Sequence, residues 1–186
     1  IGISAGTVDS MINNYTANKR PRSDDTYSEG AKAGNRPDYA SIVYSKLARQ
    51  AFADTPIIVG GVEASLRRLA HYDYWQNRVR PSILVDLQAD LLAFGMGERI
   101  AQTLAHEFQK VFIKTRQPIS IKQTETQQIL SCLQSQRGAA FLTTKEQART
   151  LEPRLTLPAY EEVKDDKRKF AKAAYFIEYE ASPYNG

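Results

Sequence analysis

The chain has 186 residues, with 25 Lys and Arg against 21 Asp and Glu for a net +4, and a mean hydropathy of -0.47, a balance that suits a folded domain rather than a disordered one. One cysteine, Cys132, excludes an internal disulfide framework and a multi-thiolate metal site made by this chain alone, and no run of about 18 apolar residues is present to cross a membrane. The mild positive charge permits an anionic small ligand without pointing to nucleic acid, and in the absence of a signal-like leader the expected setting is the cytoplasm.

Ile1-Gly2-Ile3-Ser4 reads as the tail of a strand running to a glycine turn at Gly6, so the chain is expected to begin inside a sheet. Val8, Met11, Ile12 and Tyr15 recur at helical spacing, with Asp9 or Thr7 as the cap. Residues 19–37 hold many charges and almost no large apolar side chains, and predict a long loop. From Asp38, a good capping residue, Tyr39, Ile42, Val43, Leu47, Ala48, Ala51 and Phe52 describe a helix over 38–53 with a broad apolar face.

Pro56 introduces Ile57, Ile58 and Val59, a continuous β-rich run that suits an interior parallel strand over 57–60, ending at Gly60 and Gly61. Residues 63–70 fit a helical turn with Leu66, Leu69 and Ala70 toward the core. A second buried strand over 90–94, a Gly95-Met96-Gly97 turn and a helix over 97–112 carrying Ile100, Leu104, Phe108 and Val111 repeat the arrangement. Two strand-glycine-helix units predict an α/β, mostly parallel sheet with flanking helices. Residues 114–136 read as helical in part, Ala139–Thr143 as a short strand, and the pattern after Pro158, with Val163, Phe170, Ala174 and Ile177 on one face, as one long helix. The organisation expected is a Rossmann-like domain over 1–113, a connecting segment over 114–157 and a helical linker over 158–186.

In a parallel sheet the carboxyl ends of the strands share one edge, so the turns at Ser4-Ala5-Gly6, Gly60-Gly61 and Gly95-Met96-Gly97-Glu98 converge there. That edge is the candidate site. Glycine permits close approach of a ligand to the backbone, or a tight turn and nothing more. Glu63 could accept hydrogen bonds from a ligand, and Arg67 and Arg68 could clamp a phosphate or carboxylate, or simply reach into water. Ser65 stands beside them. His71 fits a base or a metal ligand as well as a hydrogen-bonded structural residue, and Tyr72, Tyr74 and Trp75 fit a stacking wall, an interface or core. The ligand-binding candidates are therefore Ser4, Gly6, Gly60, Gly61, Glu63, Ser65, Arg67, Arg68, His71, Tyr72, Gly95, Gly97 and Glu98, with no catalytic residue and no metal ligand.

The strings GGVEASLRRLAHYDYW, SAGTVDSMINNYTANKRPRSDDTYSEG and ADLLAFGMGE resemble the N-terminal region of the YgiQ-type radical SAM proteins. The resemblance is strong over residues 1 to about 110 and continues more weakly through LPAYEEVKDDKRKFAKAAYFI to SPYNG. It implies a Rossmann-like domain of the cobalamin-binding type, followed in the parent by a radical SAM barrel whose CxxxCxxC segment holds a [4Fe-4S] cluster that binds S-adenosylmethionine. This chain has no CxxxCxxC, so it binds no cluster alone; it has no DxHxxG, with which many cobalamin domains present an axial histidine, while GGVEAS and GMGE resemble the positions of the cofactor-edge loops, so the resemblance leaves cobalamin open. Two functions compete on this reading: an accessory domain packed on the barrel of the same parent chain, helping to shape its substrate side, or an autonomous module for an anionic or nucleotide-like small ligand without catalysis.

Overall fold

The computed structural model describes residues 1–134, 136–149, 153 and 155–181; the SPYNG end of the expected linker and residues 135, 150–152 and 154 of the connecting segment lie outside the described residues. In chain order the elements are β1 (Gly2–Ser4), α1 (Ser10–Asn14), α2 (Ala40–Ala51), β2 (Ile58–Gly60), α3 (Gly61–Leu66), β3 (His71–Asp73), β4 (Arg78–Arg80), β5 (Leu91–Ala93), α4 (Glu98–Thr115), α5 (Thr124–Gln134), β6 (Ala139–Ala140), α6 (Lys145–Arg149), α7 (Tyr160–Val163) and α8 (Lys167–Ala181). They fall into two compact units, one of Ile1–Arg68 with Ile83–Leu142, the other of Leu69–Ser82 with Thr143–Gly186.

The first unit is α/β and Rossmann-like. Its four-stranded sheet has the order β1-β2-β5-β6, with β1, β2 and β5 parallel and β6 antiparallel to β5. The two apolar runs expected as strands are thus parallel neighbours, Ile58 opposite Leu91 and Val59 opposite Leu92. Alternation along these strands feeds two cores. Val59 and Leu92 pack with Ile57, Ala64, Ile83, Leu84 and Leu87, and Ile42 and Ala48 of α2 close that side. Ile58, Leu91 and Ala93 point the other way, to Ile100, Leu104 and Phe108 of α4 and Ile129 and Leu133 of α5. The sheet is therefore covered on both faces, which is why its strands read as unbroken apolar runs.

Two local expectations change, and the long loop is found tied down. The α2 helix begins at Ala40, and Asp38 does not cap it: its carboxylate accepts from Asn14 Nδ2 at 2.9 Å and Tyr15 Oη at 2.8 Å. The amides of Ala40 and Ser41 go instead to Ser10 Oγ and Glu63 Oε1, at 3.1 and 2.8 Å. Leu66 is exposed rather than core-facing, because α3 ends there and its buried side is carried by Glu63 and Ala64. The loop at 19–37 is held by backbone pairing of Tyr15 with Pro21 and of Asp24 with Lys32. Within it the buried Asp25 accepts from Tyr27 N at 2.9 Å and Ser28 Oγ at 2.6 Å and faces Arg36 at 3.8 Å.

The second unit contains a hairpin of antiparallel β3 and β4, with His71 opposite Arg80 and Asp73 opposite Arg78. Buried Asp73 faces the Arg80 guanidinium at 3.8 Å and accepts from Gln76 N in the turn. The single helix expected after Pro158 is two. The α7 turn stops at Val163, and Asp166 Oδ1 accepts from the amides of Arg168 and Lys169 at 2.9 and 3.1 Å, satisfying the first donors of a new helix, α8.

Candidate functional site

The carboxyl ends of β1, β2 and β5 form one edge of the sheet, and the three glycine turns meet there. Gly6 N donates to Ser4 Oγ at 3.1 Å, and Gly95 N donates to Ser65 Oγ at 3.3 Å, which ties the β5 turn to α3. Gly61 has φ +84°, and a Cβ added to it would stand 2.6 Å from Ser4 Oγ. Only glycine lets the chain turn from β2 into α3 against β1. Gly60 lies against the Ala93 carbonyl, and Gly6 against the Arg36 guanidinium, whose Nη1 donates to Ala5 O at 3.2 Å.

Beneath this edge lies a buried polar network. Glu63 is 1% exposed, and its Oε2 accepts from Ser10 N at 2.9 Å and from Ser10 Oγ, while Oε1 takes Ser41 N. One carboxylate thereby satisfies amides at the starts of both α1 and α2, where helix dipoles favour negative charge. Asp9 caps α1 through Oδ1, accepting from Met11 N at 2.9 Å and Ile12 N at 3.3 Å, and its Oδ2 takes the Arg67 guanidinium. Arg67 is buried as well, with the Tyr39 ring 5.7 Å from its guanidinium carbon. The Glu63 and Arg67 side chains thus join helices to the sheet edge, turned inward.

Arg68 lies at the same edge, its guanidinium 4.7 Å from the centre of the Phe94 ring and its Nη1 donating to Ser65 O at 2.7 Å. Gly97 precedes α4 with φ -75° and no side-chain cap, and Glu98 opens the first turn of that helix. The structure therefore brings Ser4, Gly6, Gly60, Gly61, Ser65, Arg68, Gly95, Gly97 and Glu98 to one edge, with Glu63 and Arg67 packed below it. His71 and Tyr72 belong to β3 of the second unit, where His71 Nδ1 lies 3.1 Å from Leu69 O and Tyr72 Oη donates to Asn77 Oδ1. Sequence reasoning missed Ser10, Ser41 and Asp9 as partners of the edge. Asp9 before an apolar helical pattern was visible as a cap, but its second oxygen, 58 residues from Arg67, was not.

A radical SAM cluster needs three thiolates. This chain has Cys132 alone, and among the described residues no group of three His, Cys, Asp or Glu side chains could hold a metal ion. The residues present do not fit the cluster.

A family model described as the radical SAM N-terminal region matches residues 1–186. The chain belongs to this radical SAM N-terminal family. It is 38% identical over 196 residues to a UPF0313 protein of Bradyrhizobium diazoefficiens, the match covering 99% of this chain and 28% of that protein. A UPF0313 protein of Thermotoga neapolitana is 39% identical, with 98% of this chain and 29% of the relative covered, and one of Clostridium botulinum is 41% identical, with 95% and 24% covered. The chain thus spans 24% to 29% of the length of these curated relatives and is an N-terminal region of a longer radical SAM-type protein. No solved structure matches it.

Proposed function

We propose that this radical SAM N-terminal domain is the accessory domain of an iron-sulfur enzyme that cleaves S-adenosylmethionine reductively, packing on the catalytic barrel of the same polypeptide and shaping its substrate side. The observation that carries the reading is the family match along all 186 residues in a chain whose relatives are three to four times longer. The edge offered to the substrate side is that of Ser4, Gly6, Gly60, Gly61, Ser65, Arg68, Gly95, Gly97 and Glu98. The [4Fe-4S] cluster and S-adenosylmethionine belong to the part of the polypeptide outside these residues, and the setting is cytoplasmic. No helix among the described residues is long and apolar enough to cross a membrane.

The competing reading, a free-standing module for an anionic ligand, needs a cation to spare at the edge. Arg67 is bound to Asp9, Arg36 to Ala5 O with Asp25 nearby, and Arg68 to Ser65 O and the Phe94 ring. Arg99, exposed in the first turn of α4, is the cation such a module would use, and the accessory role is preferred because the family match runs along the whole chain. Anaerobic iron and sulfide reconstitution of the full-length protein is expected to give a [4Fe-4S] spectrum and 5′-deoxyadenosine from S-adenosylmethionine under reduction, whereas residues 1–186 alone give neither. Failure of the full-length protein to form 5′-deoxyadenosine would overturn the assignment.

A further inference from the structure

Of the apolar side chains that follow the three glycine turns, Met96 between β5 and α4 is the most exposed. Met96 is 85% exposed, and on α3 Val62 and Leu66 are 47% and 60% exposed. Val62 and Leu66 are one helical turn apart and share a face. The Gly95 N to Ser65 Oγ hydrogen bond sets the Met96 turn beside that helix, so the three are carried on adjoining segments. Single exposed apolar residues are ordinary, but a grouped patch marks an interaction surface.

Gly97 adds an independent sign. Its φ is -75°, and an added Cβ would meet only Ala93 Cβ at 3.8 Å, an ordinary contact. Nothing among the described residues crowds this position, and Ser, Asp or Asn would cap α4 better. A backbone bare of side chain beside an exposed methionine suits close approach by another surface.

We infer that Val62, Leu66, Met96 and the Gly97 backbone form the docking face for the catalytic portion of the same polypeptide. This occupant is chosen because 71–76% of the length of these relatives lies outside the matched region, and a covalently attached partner meets the face at high effective concentration. The inference rests on the accessory-domain reading and adds to it which surface is buried.

Hydroxyl-radical footprinting of the full-length protein tests it, because the two methionines of this region form an internal pair. Met11 is 4% exposed within α1, and Met96 is open unless something covers it. Thioether oxidation follows exposure. In the full-length chain Met96 is expected to oxidise less than about fivefold faster than Met11, and a larger ratio would overturn the proposal. Leu66→Asp in the same protein should raise the Met96 rate and leave that of Met11 unchanged; an unchanged Met96 rate would also overturn it. Protection that disappears on dilution, together with a fall from dimer to monomer mass, would assign the face to a second copy and overturn the proposed occupant. Measuring 5′-deoxyadenosine on the same preparation separates the two claims. Product with an exposed Met96 defeats the docking face alone, and a covered Met96 without product defeats the radical SAM reading alone.

Discussion

The two turns Gly60-Gly61 and Gly95-Met96-Gly97 look alike in sequence, each following a buried strand and each leading through a glutamate into a helix, yet they perform different work. The first is consumed by the fold. Gly61 makes room for Ser4, and Glu63 disappears beneath the edge to hold the starts of α1 and α2. The second is open, with Met96 almost fully exposed and Gly97 free of any crowding that would require it. A glycine-rich turn therefore says only that something comes close. Whether that something is the chain itself is decided by what an added Cβ would touch.

The contrast is broken most severely at Glu63. Glu63→Ala leaves two buried amides and a buried hydroxyl without their acceptor and is expected to cost about 3 to 5 kcal/mol in urea denaturation. A loss below about 1 kcal/mol would show that the carboxylate is not organising the helix starts. Asp9→Ala removes a cap and strands the buried Arg67, with about 2 to 3 kcal/mol expected, whereas Asp9→Asn keeps the cap and should recover part of it. Gly61→Ala meets a positive φ and the Ser4 hydroxyl, for a loss of about 1 to 2 kcal/mol.

Acidification should affect the loop at 19–37 more gently. The Asp25 carboxyl is held below the usual carboxylate range, first by the Ser28 hydroxyl, against the opposing push of burial, and further by the Tyr27 amide, Asn13 and Arg36. With the folded value below the unfolded one, this contribution is present above the unfolded pKa, about 3.9, and is lost as pH falls through the folded value. Amide exchange across residues 24–32 is expected to accelerate in that acid range, and Asp25→Asn to remove the pH dependence. The smallest effect is that of Gly97→Ala, within about 0.5 kcal/mol of the parent protein, since the new methyl makes only an ordinary contact.

Much of the first unit was legible because its strands are covered on both faces. Ile57 to Val59 and Leu91 to Phe94 have no polar alternation to confuse them, and the β-rich run before each glycine fixed strand, turn and helix together. The caps were less legible where they act across the chain. Asp38 has the right chemistry and neighbours α2, but the amides of that helix find Glu63 and Ser10, which sequence proximity cannot reveal. The β3–β4 hairpin was hidden because His71, Tyr72 and Asp73 read as a polar and aromatic site segment, while their pairing with Arg78–Arg80 depends on the intervening turn. At the edge, the strand-end glycine turns were legible, but not that His71 and Tyr72 belong to the second unit or that Glu63 and Arg67 face inward; these two carry the same charges whether they meet a ligand or the chain.

The most direct test of the difference between the two turns is Gly97→Leu in the full-length protein, measured for unfolding midpoint and 5′-deoxyadenosine formation in one preparation. The added Cβ makes only an ordinary contact with Ala93 in this domain, whereas the side chain beyond it would collide with a docked catalytic portion. The account predicts an unfolding midpoint for this domain close to that of Gly97→Ala, together with at least about a tenfold fall in product, the equivalent of some 1.4 kcal/mol of lost coupling. Unchanged product formation with an unchanged midpoint would contradict it, leaving the Gly95-Met96-Gly97 turn as open surface and nothing more.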